Sequence, residues 1–430
     1  MKSLNIFLLL ISSFFIYACS VENKKQENYE LKFAKPEDVG MVSDSLAKIE
    51  KMVMNFVNAK KFPGAVTLIA KNGKIIYESA IGWSDTSRTE PYNKEHLFRM
   101  ASMTKPITSV AAMQLIEAGK LQLDDPVGKY IPSFKENEIL TDFNKADTTW
   151  TSKPSASTPT IRQLLTQTAG VPYGFMNPKV NGAILAKNDI PDLSTHLPIT
   201  IEETMSKIGD LPLMHEPGEK WMYGLNTDVL GRVIEVASGM DLDDYIRDNI
   251  TQPLGIEMLD FYFDESHTKN LTKVFLPTKK GTIKRALDMG EMYIENYPTQ
   301  GAKTYASGGS GMTGTARAYF LFCQAMLNNG TLGKVQILKA KTAISMHQDQ
   351  IDTLSYPWGA ARFGFGFDVA EGHLNRPDGT YSWGGAFSTV FWIDPTNNLI
   401  VIQLRQVLSS PFNQDINGQL EQIVYNALSD

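Results

Sequence analysis

Two side chains three residues apart, Ser102 and Lys105, have the types and spacing for nucleophilic acyl transfer. A serine hydroxyl at neutral pH is a weak nucleophile, so it needs a nearby proton acceptor and stabilisation of the charge it creates. On a helix, residues three apart share a face, which keeps an amine within reach of the hydroxyl without help from distant loops. The first N–H groups of a helix also carry partial positive charge and favour an oxyanion at that end. Pro106 suits a first turn, because proline lacks an N–H. The run Ile107, Val110, Ala111, Ala112, Met113, Leu115, Ile116 is apolar nearly all round, which predicts a helix buried in the core and ending at Gly119. Burial would strip water from the Lys105 amine and favour the neutral form a base requires. The spacing alone is unspecific. Ser45 with Lys48 and Ser266 with Lys269 share it, but both stand in polar stretches with no buried helix after them.

The elements that must position this pair follow from periodicity. Leu46, Ile49, Met52, Val53 and Phe56 recur at helical spacing. Residues 65–70 and 74–81 are β-rich and are separated by Asn72 and Gly73, a strong hairpin signal. Residues 130–157 look loop-rich, Thr160 caps a helix that closes at Gly170, and residues 177–198 are irregular and polar. Helices are expected over 201–208 and 227–236, with a Glu216, Pro217, Gly218 turn between them. Residues 307–314 are glycine-rich, and Gly309, Gly311 and Gly314 match G-x-G-x-x-G. No strong strand precedes them and no acidic residue follows at the right distance, so they are expected to form a turn feeding a helix over 316–328 rather than a dinucleotide site. Late β-type runs cover 362–369, 380–384, 389–393 and 399–405, and a helix over 419–427 finishes the chain. Strands at both ends and helices between them predict an α/β (α+β) fold. One antiparallel sheet comes from about 60–97 and 360–430, flanked by terminal helices, with an inserted, mainly helical lobe at about 101–300 and the site at the seam.

The 430 residues carry a formal net charge of -6 and no basic block, which argues against nucleic acid as a partner. Six histidines show neither H-E-x-x-H nor close pairing, so no metal and no cofactor is expected. Lys2, the apolar run 4–17 and Ala18 before Cys19 form an export signal. Ile16, Tyr17, Ala18, Cys19 resembles the lipobox of bacterial lipoproteins, which implies a signal peptide over 1–19, lipid on Cys19 and a periplasmic or cell-surface protein held to the membrane by that lipid alone. Residues 20–35 are charged and poor in apolar side chains, as in a flexible tether, which leaves 36–430 as the functional domain. Cys323, in a helical stretch, is expected as a buried small hydrophobe.

Several segments in order resemble the serine β-lactamase-like, penicillin-recognising hydrolases, and among them the class C β-lactamases and family VIII carboxylesterases. They are Ser102, Met103, Thr104, Lys105; Leu164 to Gly170; Pro217, Gly218 leading to Tyr223 and then Asp228, Val229, Leu230, Gly231; Gly308 to Met312 with Thr315, Ala316, Arg317; and Trp383, Gly384, Gly385 with Phe391 to Pro395. The resemblance implies a β-lactamase/transpeptidase-like fold, Ser102 as nucleophile, and Tyr223 sharing protons with Lys105. It also implies an oxyanion site made by the N–H groups of Ser102 and Ala386. Leu225 stands where the family has an asparagine that binds a substrate amide, with Asn226 one residue late. Trp383 stands where relatives carry a carboxylate-binding lysine, and Gly384 and Gly385 would let a substrate lie close to the strand. The expected activity is hydrolysis of a small-molecule ester or amide, with carboxylic esters favoured. A β-lactamase or D-amino-acid peptidase is the alternative enzyme, and a non-catalytic lipoprotein that binds cell-wall peptides is the alternative of another kind.

Overall fold

The run Leu399–Leu404 is apolar at all but one position, and in the computed structural model of the chain it is a central strand that feeds two cores at once. Ile400, Ile402 and Leu404 face one core, whereas Leu399 and Val401 face the other, as the two-residue repeat of a strand requires. The structure describes residues 29–429 except 86, 288, 290–292 and 360. The export signal, Cys19 and the first part of the expected tether therefore lie outside the described residues.

In chain order, helix α1 (Lys48–Asn58) precedes the hairpin of β1 (Gly64–Lys71) and β2 (Lys74–Gly82). Asn72 and Gly73 both take positive φ, +53° and +73°, which closes the two-residue turn that the sequence predicts. Helices α2 (Thr104–Glu117) and α3 (Asn226–Ser238) belong to the inserted lobe, and α4 (Ala316–Leu327) returns to the sheet. Strands β3 (Ala361–Phe363), β4 (Asp368–Ala370), β5 (Tyr381–Gly385), β6 (Thr389–Asp394) and β7 (Leu399–Leu404) follow, and α5 (Asn413–Tyr425) ends the fold. The sheet runs β3-β4-β5-β6-β7-β1-β2, antiparallel at every step. The terminal helices α1 and α5 cover one face through Ile49, Met52, Val53, Phe56, Ile416 and Leu420, while α4 covers the other. Helix α2 is buried from Thr104 through Met113, as its all-round apolar sequence predicts, and crosses α3 inside the lobe.

Four expectations are corrected. Residues 29–35 are docked rather than tethering: Tyr29 and Leu31 pack on the core, and Ile75 bonds to the Lys32 carbonyl and the Ala34 N–H. Residues 138–154 contain a two-stranded ribbon, Glu138–Asn144 with Thr149–Pro154, where loop was expected. The ribbon is largely solvated, so it lacks the apolar alternation that announces a strand. The run 362–369 is two short strands, with Gly366 at φ +88° turning between them beside Ser109 of α2. Helix α5 begins at Asn413, six residues before the expected start, because its first turn is polar.

Candidate active site

Ser102 lies in a short 3-10 turn, Ala101–Met103, that runs directly into α2, so the nucleophile precedes the helix instead of riding on it. Ala101 is held at φ +46°, a left-handed conformation that costs a non-glycine residue free energy and is retained where the surroundings over-determine it. Those surroundings are explicit. Thr104 Oγ1 donates to the Ala101 carbonyl at 2.7 Å, Thr389 Oγ1 to the Met100 carbonyl at 3.1 Å and Tyr319 Oη to the Met103 carbonyl at 2.9 Å.

The three residues expected to move the proton meet at one point. The Tyr223 phenol donates to Ser102 Oγ at 2.6 Å, and Lys105 Nζ donates to the same oxygen at 3.3 Å. Lys105 Nζ also donates to Tyr173 Oη at 2.9 Å and to the Gly309 carbonyl at 2.8 Å, and stands 4.7 Å from the centre of the Tyr223 ring. Tyr173 and Gly309 were not singled out from sequence as partners of the lysine. Tyr173 follows the Leu164–Gly170 segment, whose resemblance to the family was the available signal. Asp228 completes the arrangement from α3: its carboxylate accepts from the Gly309 N–H at 3.1 Å and from Ser307 Oγ, which aims the Gly309 carbonyl at the lysine. Burial pushes the Asp228 carboxyl up, opposed by the nearby Lys105 charge, and burial pushes the Tyr173 phenol far up. A Cβ on Gly309 would lie 2.3 Å from Asp228 Oδ2 and 2.8 Å from Tyr173 Oη. The glycine-rich stretch thus serves close approach to the lysine pocket.

Gln167 fixes the Tyr223 segment. Its Oε1 accepts from the Gly224 N–H at 3.1 Å and from Asn226 Nδ2 at 2.9 Å, and its carbonyl accepts from Met222 at 2.8 Å. This corrects the placing of Leu225 and Asn226. Leu225 is in the apolar core and Asn226 is turned to Gln167 at the start of α3, so neither lines the cleft.

Trp383, Gly384, Gly385 and Ala386 do line the cleft with Ser102, in a cavity of about 670 Å³. Gly385 also has a packing role: a Cβ there would meet the Met100 carbonyl at 2.2 Å and Thr389 Oγ1 at 2.3 Å, so its missing side chain seats β5 on the nucleophile turn. At Gly384 the nearest atom would be the Thr389 carbonyl at 3.1 Å, which leaves that position to the cleft. Trp383 packs against Tyr223 and Trp358 at 5.7 and 5.6 Å between ring centres, and Tyr356 and Phe175 extend this aromatic wall. Tyr356 and Trp358 carry no sequence signal, because they lie in an irregular segment. Among the described residues, no group of three or more His, Cys, Asp or Glu side chains converges as metal ligands would.

Comparison with known proteins gives the family. The Beta-lactamase family profile matches residues 49–424. Esterase EstB of Burkholderia gladioli is 27% identical over 400 residues, covering 88% of this chain and 95% of that protein. The ML-236A carboxylate methylbutanoyltransferase of Penicillium citrinum is 27% identical over 419 residues, covering 90% and 95%. The structure of EstCE1, described as a hydrolase with promiscuous acyltransferase activity, superimposes with a TM-score of 0.75 at 28% identity, covering 89% of this chain and 99% of that one. The octameric penicillin-binding protein homologue from Pyrococcus abyssi shares the fold at a TM-score of 0.66 and 21% identity, covering 89% and 76%. A serine, a lysine and a tyrosine converge in a profile match that spans most of the chain, and an esterase and a hydrolase align with it nearly end to end: the chain belongs to the beta-lactamase family and is a serine hydrolase of that fold.

Proposed function

We propose that this protein cleaves carboxylic esters through an acyl-enzyme on Ser102. The observation that carries the proposal is the position of Ser102 Oγ, 2.6 Å from the Tyr223 phenol and 3.3 Å from the Lys105 amine, at the base of an aromatic cleft. Ser102 attacks the ester carbonyl while the Tyr223 and Lys105 pair takes its proton, and the pair returns that proton to the leaving alcohol. The Ser102 and Ala386 N–H groups hold the oxyanion of the tetrahedral intermediate. Water attacks the acyl-enzyme by the same route in reverse and frees the acid. A cell-wall binding role without catalysis would use none of these three side chains together.

Trp383 decides between ester and β-lactam. A β-lactam carboxylate entering beside it would lose water without gaining a cation at that position, and burying an unpaired charge is costly. Apolar groups on either side of an ester carbonyl instead pack on Trp383, Trp358 and Tyr356. The test compares p-nitrophenyl butyrate with nitrocefin on one preparation, with Ser102→Ala as blank. The ester is expected to give the higher kcat/KM. A higher value for nitrocefin replaces this proposal with a β-lactamase or peptidase.

The chain is further proposed to be exported and lipid-anchored, on the strength of Lys2, the apolar run 4–17 and the lipobox-like Ile16 to Cys19. Cys19→Ser is expected to leave an unprocessed precursor or release soluble protein. Unchanged processing and membrane partitioning would refute the anchor.

A further inference from the structure

Arg405, Gln406 and Val407 follow the last residue of β7 and lie between the two turns that the chemistry needs. On one side, the Gln406 amide holds both backbone groups of Arg99: Oε1 accepts from the Arg99 N–H at 3.2 Å and Nε2 donates to the Arg99 carbonyl at 3.1 Å. Arg99 leads directly through Met100 and the strained Ala101 to Ser102. On the other side, Arg405 Nε donates to the Ser388 carbonyl at 2.7 Å, Ser388 Oγ donates to the Val407 carbonyl at 2.6 Å, and the Val407 N–H donates to Phe387 at 3.0 Å. Ser388 is itself held at φ +69° and donates to the Gly385 carbonyl at 2.9 Å. Residues 385–388 carry the Ala386 N–H. One tripeptide therefore sets the register of both halves of the oxyanion site.

Arg405 is also an unusual choice for such a position. It is fully buried, and among the described residues no carboxylate pairs with it. Its other contacts are Asn417 Oδ1 at 2.6 Å and the Phe62 ring at 5.2 Å, and Nη1 has no partner. Burial pulls its pKa down to about 9, which still leaves it cationic at neutral pH. An unpaired buried charge is destabilising, and an apolar side chain of similar length would fill the space over Phe62 more favourably. Arg405 lines the same cleft as Ser102 and Ala386, so a fixed cation there bears on the negative charge that develops at the turn, a use that an apolar residue lacks.

We infer that Arg405 and Gln406 are positioning residues, which hold the Ala386 turn and the Ser102 turn at the spacing of a tetrahedral oxyanion, with Arg405 adding a fixed positive charge beneath it. The inference rests on the acyl-enzyme proposal above. The experiment compares Arg405→Met, Arg405→Lys and Gln406→Glu with the unaltered protein. It measures kcat and KM for p-nitrophenyl butyrate, inhibition by a phenylboronic acid that forms a tetrahedral anion on the serine, and thermal melting. Arg405→Met is expected to lower kcat and boronate affinity together, by about 10² to 10³-fold, with KM nearly unchanged. Arg405→Lys, which keeps the charge but not the planar fork, should fall between the two. Gln406→Glu keeps the acceptor but loses the donor to Arg99, and is expected to lower kcat by about 10²-fold. Folded variants with unaltered kcat, or with KM and boronate affinity weakened alike, would overturn the inference. So would failure of all three to fold where Ser102→Ala folds, which would mark the pair as stabilising only. If the unaltered protein neither turns over the ester nor reacts with a fluorophosphonate, the acyl-enzyme proposal itself fails.

Discussion

The phenol of Tyr173 accepts a 2.9 Å hydrogen bond from Lys105 Nζ, although the two residues are 68 positions apart in the chain. With Ser102 Oγ and the Gly309 carbonyl it gives Lys105 Nζ three hydrogen-bond partners, so the lysine has a single place to stand.

Removing the members of this cluster is expected to have graded effects. Lys105→Ala and Tyr223→Phe are each expected to lower kcat/KM by about 10² to 10⁴-fold, since both groups move the proton. Tyr173→Phe removes only an orienting acceptor and leaves a buried donor unpaired, which predicts a loss of about 10-fold. Esterase kinetics on the three variants checks the order, and a Tyr173→Phe loss equal to that of Tyr223→Phe would place Tyr173 in the proton path.

The two adjacent glycines of β5 separate in the same way. Gly385→Ala brings a methyl within 2.2 Å of the Met100 carbonyl, so the oxyanion turn and the nucleophile turn must part, and activity should fall by about 10²-fold or more. Gly384→Ala meets its nearest neighbour at 3.1 Å and should keep activity within about 10-fold, because the neighbour must give by only a few tenths of an ångström. Paired kcat measurements with thermal melting distinguish the two.

Trp358 is 44% exposed yet stands 4.9 Å from the ring centres of both Trp221 and Tyr223, so it forms a wall rather than part of the core. Trp358→Ala should raise KM for aryl esters by about 10-fold with little change in kcat, the pattern of binding lost equally from ground and transition states. A fall in kcat at constant KM would instead show that Trp358 orients Tyr223.

Asp260 tests the electrostatics away from the cleft. Burial raises its carboxyl to about 6, and its Oδ1 accepts from the Phe261 N–H at 2.6 Å. Because the folded state holds this proton more tightly than the unfolded chain, the stability it contributes is full below the unfolded value of 3.8 and is lost as pH rises through about 6. Asp260→Asn keeps the acceptor and does not ionise. Its melting temperature should therefore gain on the unaltered protein between pH 4 and pH 7, and a constant difference would refute the assignment.

Much of this protein is determined locally. The Asn72-Gly73 hairpin follows from two residues that tolerate positive φ, the buried course of α2 from its lack of a polar face, and the two-core strand β7 from an apolar run too short for a helix. Ser102 and Lys105 were also legible, by their spacing ahead of an all-round apolar helix together with the family resemblance, and Tyr223 through that resemblance. The ribbon at residues 138–154 was not, because a solvated strand pair leaves no hydrophobic period. The placing of Leu225 and Asn226 was not either, since one backbone rotation at the start of α3 decides whether a side chain meets substrate, core or Gln167. Only the tertiary structure could bring Tyr173, Asp228 and Gly309 around Lys105, seat Gly385 on Met100 and join Arg99 to Gln406 across 307 residues. Spacing along a helix is fixed by local geometry, whereas contacts between distant segments depend on how the two cores and the inserted lobe close on one another.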